Sequence, residues 1–191
     1  MITYTETPTS QITAADVEQM ATLAVASANE RQASWTVENF SSVFNKDNNR
    51  PNSAVIRGWD GDTLVSMMYM LNQHPATSDT DHTGSKFVMR HKANCDTFLA
   101  HYNLTYDVIC MPSLLYVHPD YRSQGIGKAT MLAGHNWAKA NGYTHIMGYG
   151  SYNSESLSFY KYNANYVQTD LQHGWEHYVD TDSEMFSIIE L

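Results

Sequence analysis

The chain has 191 residues, 42% of them hydrophobic, and a formal net charge of -9 at neutral pH. That length and composition suit a single globular domain, 1–191, able to bury roughly 70% of the surface its unfolded form exposes. The negative balance argues against nonspecific binding to nucleic acid or anionic lipid, which want clustered Lys and Arg, and it is compatible with a cationic substrate without selecting one.

No apolar stretch approaches the roughly 20 residues that span a bilayer. The start Met1-Ile2-Thr3-Tyr4-Thr5-Glu6 has neither the basic region nor the apolar core of a secretion signal, so a cytoplasmic protein with no membrane partner is expected. Cys95 and Cys110 are too few for a disulfide framework and lack metal-like spacing, so both read as ordinary reduced thiols.

Thr13 before Ala14, Ala15 and Asp16 reads as a helix cap, and Val17, Met20, Ala24 and Ala28 recur at helical steps, which predicts an amphipathic first helix. A second short helix is expected from Ser34 to Phe44, followed by an Asn-rich loop over 45–53 that contains Pro51. Ala54 to Trp59 and Thr63 to Leu71 read as strands of a hairpin joined through Asp60-Gly61.

Between Gln73 and Asp107 the pattern weakens. His74, Thr77, Ser78, Asp79, Thr80, Asp81, His82 and Thr83 are polar, and only Cys95 to Tyr102 reads as a short helix. Met111 to Val117 predicts a buried strand. The helix after it carries Ile126, Ala129, Ala133, Trp137 and Ala140 on one face and ends at Asn141-Gly142. Thr144 to Gly148 makes the next strand, and strand, helix, strand in this order implies a right-handed crossover and a locally parallel pair. A further helix over Asn153 to Ala164 and strands near Tyr166 to Thr169, Glu176 to Asp180 and Met185 to Glu190 complete the reading.

The chemistry concentrates where the strand ends. Pro119 stops it, and a small-residue loop with Gly125 and Gly127 opens the long helix. Glycines there let the backbone approach an anion closely, while the helix start directs unpaired N–H groups and the positive dipole end at it, so a phosphate-bearing ligand is expected. Walker A is excluded, because Arg122 stands where its first Gly belongs and Ala129 where Ser or Thr must follow the Lys. The dinucleotide fingerprint also fails, since its third Gly would fall on Thr130. What remains is Arg122-x-x-Gly125-x-Gly127.

Val117-His-Pro-Asp-Tyr-Arg122-Ser-Gln124-Gly125-Ile126-Gly127-Lys128 resembles the acetyl-CoA-binding motif of the GNAT N-acetyltransferase superfamily. A second segment, Asn153-Ser-Glu-Ser156-Leu-Ser-Phe159-Tyr160, is similar to that family's other cofactor segment, an Asn followed three residues on by a small residue and seven on by a Tyr. The likeness covers roughly residues 111 to 168. It implies an α/β (mixed α+β) architecture: a twisted mixed sheet flanked by helices, with the cofactor in a cleft between splayed central strands. The stretch at about 73–107 departs from it as an atypical insertion, since the family usually joins those strands by a short turn.

By the same resemblance, the backbone of Gln124, Gly125, Ile126, Gly127 and Lys128 cradles the pyrophosphate and Arg122 adds positive charge, the alternative being a plain turn with a solvated arginine. The exposed backbone of Leu115, Tyr116 and Val117 pairs with the pantetheine arm, or else belongs to an ordinary core strand. Tyr160 becomes the candidate general acid, since a phenol with a reference pKa of about 10 stays protonated at neutral pH yet can donate to a departing thiolate. In a chain with 13 tyrosines it competes with a packed core residue. Asn153 binds the cofactor or only caps the helix at Ser154.

The general base stays open. Many relatives place an acid on the central strand, where this chain has Ser113; Asp107, His101, the C-terminal carboxylates and ordered water are the substitutes. His173 and His177 stand four apart in an expected strand or turn and do not suggest a metal. The resemblance therefore implies transfer of an acetyl group from acetyl-CoA directly to an amine of a small molecule or protein. A homodimer is compatible with it. The rival is a noncatalytic module that binds CoA or uses the fold for protein contacts.

Overall fold

A computed structural model describes residues 1–27, 36–47, 50–151, 167–168 and 184–191. Among these, the strands form one mixed sheet in the order β1-β2-β3-β4-β5-β7-β6. The strands are β1 (Thr3–Pro8), β2 (Ala54–Asp60), β3 (Thr63–Asn72), β4 (Ile109–Val117), β5 (His145–Ser151), β6 (Val167–Gln168) and β7 (Glu184–Glu190). The helices are α1 (Ala14–Ser27), α2 (Val37–Asp47), α3 (Lys86–Arg90), α4 (Lys92–His101) and α5 (Ile126–Ala140).

Local chemistry explains most of these boundaries. Thr13 and Asp16 form a reciprocal cap at the start of α1: the Asp16 N–H donates to Thr13 Oγ1 at 3.2 Å and the Thr13 N–H to Asp16 Oδ2 at 2.9 Å. Gly61 takes a φ of 57° in the β2–β3 turn, which a side chain would resist. The end of α5 is a Schellman arrangement in which Gly142, at φ 87°, lets the Tyr143 N–H reach the Ala138 carbonyl at 3.0 Å.

In four places the structure departs from these expectations or adds to them. The second helix starts at Val37, because Thr36 Oγ1 accepts from the Asn39 N–H, and it runs to Asp47, into the expected loop. The first strand, β1, carries no hydrophobic alternation; among the described residues it pairs with β2 alone as an edge strand with most side chains exposed, and edge strands lack the period that buried ones show. The 73–107 stretch holds two helices, α3 and α4, whose residues Val88, Cys95, Phe98 and Leu99 pack over Ile109 and Met147 of β4 and β5.

The fourth change concerns α5, whose buried face is Ile126, Thr130, Met131, Gly134, Trp137 and Ala138; Ala129 and Ala133 are only half-buried and Ala140 is exposed. Close approach decides this, since a Cβ at Gly134 would lie 2.4 Å from Met68 Cε and 2.9 Å from Met70 Sδ. The smallest residue, not the most apolar row, faces the sheet. The expected helix at 153–164 and strand at 176–180 lie outside the described residues.

The sheet separates two layers of core. On β3, Met67, Tyr69 and Leu71 pack under α1 and α2, while Met68 and Met70 turn to α5. Of the cysteines, Cys110 packs on the α5 side, and Cys95, on the buried face of α4, packs with Ile109 and Met147. Both are buried free thiols; burial pushes Cys95 up to about 12 and Cys110 up as well. Neither supplies thiolate at neutral pH. We expect no reaction with an aromatic disulfide reagent until denaturant is added and two equivalents thereafter; labelling of the native protein would contradict this burial.

Asp81 organises the loop ahead of α3. Its Oδ1 accepts from the Thr83 hydroxyl at 2.6 Å and N–H at 2.8 Å, and its Oδ2 from the Thr77 N–H at 2.8 Å and hydroxyl at 3.0 Å. The Thr83 hydroxyl bond leads the effects that hold this carboxyl well below the usual carboxylate range. A depressed folded value means that its stabilisation is present above the ordinary value of about 4 and is lost as the pH falls through the folded one. The melting difference between wild type and Asp81→Ala should therefore be constant from about pH 7 to 5 and shrink in stronger acid. A difference that grows in acid would contradict this.

Candidate functional site

Strand β4 is the organising element. It pairs with β5 in parallel only at Ile109↔His145 and Cys110↔Ile146, after which β5 continues alongside β7 and leaves β4. From Met111 to Val117, β4 is hydrogen-bonded to β3 on one side and, among the described residues, to no strand on the other. A wedge thus opens between two central strands.

A bulge bends β4 within the wedge. The register with β3 shifts between Met67↔Tyr116 and Tyr69↔Ser113, and Leu114 takes a φ of 54°, where a leucine is disfavoured by about 1–2 kcal/mol. Beyond the bulge the His118 N–H donates to Val65 O on β3 at 2.9 Å, so by strand alternation the Tyr116 main chain also faces β3, while Val117 and Leu115 turn to the unpaired edge. The Tyr116 side chain packs into the core with its ring 5.8 Å from that of Phe40.

The chain then turns through Pro119–Tyr121, a single 3-10 turn capped by His118, whose Nδ1 accepts from the Asp120 N–H at 3.3 Å. Ser123 and Gly125 follow with φ of 61° and 78°. Gly125 is the N-cap of α5 and supplies no side-chain cap; the first helical bond is from the Ala129 N–H to Gly125 O at 3.0 Å, leaving the amides of Ile126, Gly127 and Lys128 without helical partners. The first turn holds no acidic residue to balance the dipole and does hold Lys128. In a chain of net charge -9, this positive, uncapped helix start stands out as an anion site. A Cβ built on Gly125 meets no protein atom within 4 Å, so only its φ and the open space before it ask for glycine.

Contacts from distant segments hold this geometry. Thr130 Oγ1 donates to Ile126 O at 2.8 Å and lies 2.8 Å from Ser66 Oγ on β3, with the Tyr4 hydroxyl of β1 3.5 Å from the same carbonyl. Gly58 makes room for this group, since a Cβ there would fall 2.3 Å from Ser66 Oγ. Tyr121 donates to Asp60 Oδ2 at 3.0 Å, joining the loop to the β2–β3 hairpin, and that carboxylate acceptor raises the phenol's pKa. The Ser66–Thr130, Tyr4–Ile126 and Asp60–Tyr121 pairs are not legible in the sequence, because they lie 64, 122 and 61 positions apart.

The sequence-derived candidates are distributed as follows. Leu115, Tyr116, Val117 and the loop residues Arg122 to Lys128 converge at the open end of the wedge. The Gln124 side chain folds back to donate to Asp120 O at 3.0 Å, leaving its main chain as its contribution. Arg122 is turned from the helix start: its Nε donates to Val117 O at 3.2 Å and its Nη2 to Ser27 O at 2.8 Å. Ser113 is half-buried at the bulge. Asp107 is exposed, 3.1 Å from His74 Nε2, ahead of β4; the strand from Ile109 to Ser113 alone spans about 13 Å, which distances Asp107 from the bulge. His101 ends α4 with its ring 4.9 Å from that of Tyr102. Asn153, Tyr160, His173 and His177 lie outside the described residues, and among the described residues no His, Cys, Asp and Glu cluster suits a metal. No described helix is long and apolar enough to cross a membrane.

The family model for the acetyltransferase (GNAT) domain matches residues 86–163, which run from α3 through β4, the loop and α5. No curated protein matches the chain. Among solved structures, an acetyltransferase from Streptococcus agalactiae 2603 superposes with a TM-score of 0.62 at 12% identity, covering 100% of this chain and 98% of that one. The PaiA N-acetyltransferase from Thermoplasma acidophilum, solved in complex with coenzyme A, gives 0.59 at 12% identity, covering 100% and 99%. The ribosomal-protein-S18-alanine N-acetyltransferase from Escherichia coli gives 0.60 at 9% identity, covering 100% and 94%. At such identities the likeness is one of fold. The splayed β4–β5 pair and the glycine loop at the start of α5 fall within residues 86–163, the stretch that the GNAT acetyltransferase domain model matches, and the fold is that of the GNAT acetyltransferase structures.

Proposed function

We propose that this protein binds acetyl-CoA in the β4–β5 wedge and transfers the acetyl group directly to an amine, with 1–191 acting as one domain. The observation that carries the reading is the continuity of an unpaired strand edge with an uncapped helix N-terminus: the edge suits the amide-bearing pantetheine arm and the helix start suits the diphosphate. The main-chain amides of Gln124 to Lys128 hold the diphosphate, and Leu115, through its N–H and carbonyl, and Val117, through its N–H, offer hydrogen bonds to the arm, with Tyr116 keeping the strand in register. The Arg122 side chain bonds to carbonyls of α1 and β4.

In the reaction the neutral amine nitrogen forms a bond to the thioester carbonyl carbon, the carbonyl oxygen takes up negative charge, and the carbon–sulfur bond then breaks. Tyr160 protonates the departing sulfur and Asn153 contacts the cofactor. Ser113, beside the bulge, cannot act as a base at neutral pH, so the ammonium proton leaves to ordered water or to a C-terminal carboxylate acting as base. The Thermoplasma relative solved with coenzyme A supports the cofactor assignment, and the S18-alanine relative supports an amine acceptor. A cytoplasmic setting fits two buried free thiols.

Calorimetry with CoA, followed by measurement of thiol release from acetyl-CoA over a panel of polyamines, aminoglycosides, amino acids and peptide amines, tests this. We expect saturable CoA binding and thiol release that requires an amine. Binding without release across the panel would favour the noncatalytic module, and no binding would end the proposal.

A further inference from the structure

The group that the motif would assign to phosphate is committed elsewhere. Three hydrogen bonds meet where α1 ends: Arg122 Nη2 donates to Ser27 O at 2.8 Å, Arg122 Nε to Val117 O at 3.2 Å, and Ser27 Oγ to the same Val117 carbonyl at 3.1 Å. Nε and Nη2 lie on one edge of the planar guanidinium, so the side chain reads two carbonyls at a fixed separation. One carbonyl belongs to the last residue of α1, where a cation is favourable and where the helix's own last turn has no basic residue. The other faces the unpaired edge of β4, as the opposite direction of the His118 N–H shows. The Arg122 N–H is itself bonded to Pro119 O at 3.2 Å, which fixes the residue at both backbone and head group just before the left-handed Ser123.

We propose that Arg122 is a positioning residue: it latches the cofactor loop to the C-terminus of α1 and closes the open edge of β4 at Val117, acting through hydrogen-bond geometry and not through its charge on the ligand. This rests on the acetyl-CoA reading and refines it. With the Val117 carbonyl already accepting two bonds, the arm finds acceptor groups only further up β4, and the loop is held at a set distance from them. A lysine preserves the charge but offers a single donor point that cannot hold both carbonyls, so Arg122→Lys should behave like Arg122→Gln.

The test measures CoA affinity and melting temperature for wild type, Arg122→Lys, Arg122→Gln and Ser27→Ala at two ionic strengths. We expect both Arg122 variants to bind CoA about tenfold or more weakly, by similar factors and with the wild-type dependence on salt, and Ser27→Ala, which removes one of the three bonds, to weaken binding by a smaller factor. Lysine binding as wild type while glutamine loses affinity would show that charge on the ligand matters, overturning the latch. Lowered melting temperature with wild-type affinity in the folded variants would reduce Arg122 to a structural residue and overturn it equally. Should the Arg122 variants not fold, Ser27→Ala decides alone: unchanged affinity refutes the latch. Wild type without CoA affinity is the distinguishable case, because it removes the functional reading and the latch with it.

Discussion

Gly125→Val should abolish measurable CoA binding in a chain that still folds, with affinity falling about 100-fold or more. Two effects combine. At a φ of 78° a β-branched residue is strained, at a cost above the roughly 1–2 kcal/mol of an ordinary side chain, so the loop would rotate its amides away from the site. The new methyls would also project where no protein atom lies within 4 Å, into the space a diphosphate would fill. Losing two charge-assisted hydrogen bonds of roughly 1.5–3 kcal/mol each is enough for the expected drop. The same strain should lower the melting temperature by a few degrees, about 2–4 °C for each kcal/mol at this chain length.

A companion variant separates strain from occlusion. Asn tolerates the left-handed conformation, so Gly125→Asn should melt close to wild type and yet bind CoA poorly, because its side chain occupies the same space. Calorimetry on both variants checks this. Wild-type affinity in folded Gly125→Val would remove the diphosphate from the start of α5.

Tyr160→Phe should lower turnover by about 100-fold or more while leaving CoA affinity nearly unchanged. The loss corresponds to about 2.7 kcal/mol of barrier, within the range for a general acid. Phenylalanine keeps the ring and its packing and removes only the proton donor, so a tyrosine that merely packs would lose little activity. The pH profile adds a second readout: wild type should lose activity on an alkaline limb as its general acid ionises, and the variant should lack that limb. Equal turnover would exclude Tyr160 from the mechanism.

The loop from Pro119 to Lys128 is legible in the sequence because its constraints are local. Gly125 and Gly127 at the mouth of a helix, a stop at Pro119 and an apolar strand before it speak of backbone conformation within a dozen positions. The α1 cap and the Asp60-Gly61 turn were readable for the same reason. Strand β1 was not, because an exposed edge strand leaves no apolar period. The face of α5 was misjudged because counting apolar residues rewards alanines, whereas Gly134 and Thr130 were placed against β3 by the need for close approach and by a hydroxyl pair with Ser66.

Taken alone, the order of residues set the expectation for the loop: glycines opening a helix with no acid in its first turn, spaced as neither a Walker A nor a dinucleotide motif, point to an anion met by main-chain amides. Tertiary structure decided the shape of the β4 edge. Strands β4 and β5 part after Cys110, Leu114 adopts a left-handed bulge, and Arg122 leaves the helix start to hold Ser27 and Val117. These features depend on hydrogen bonds between segments up to 95 positions apart, as from Arg122 to Ser27, and no short-range spacing in a chain encodes which distant carbonyl a guanidinium will find.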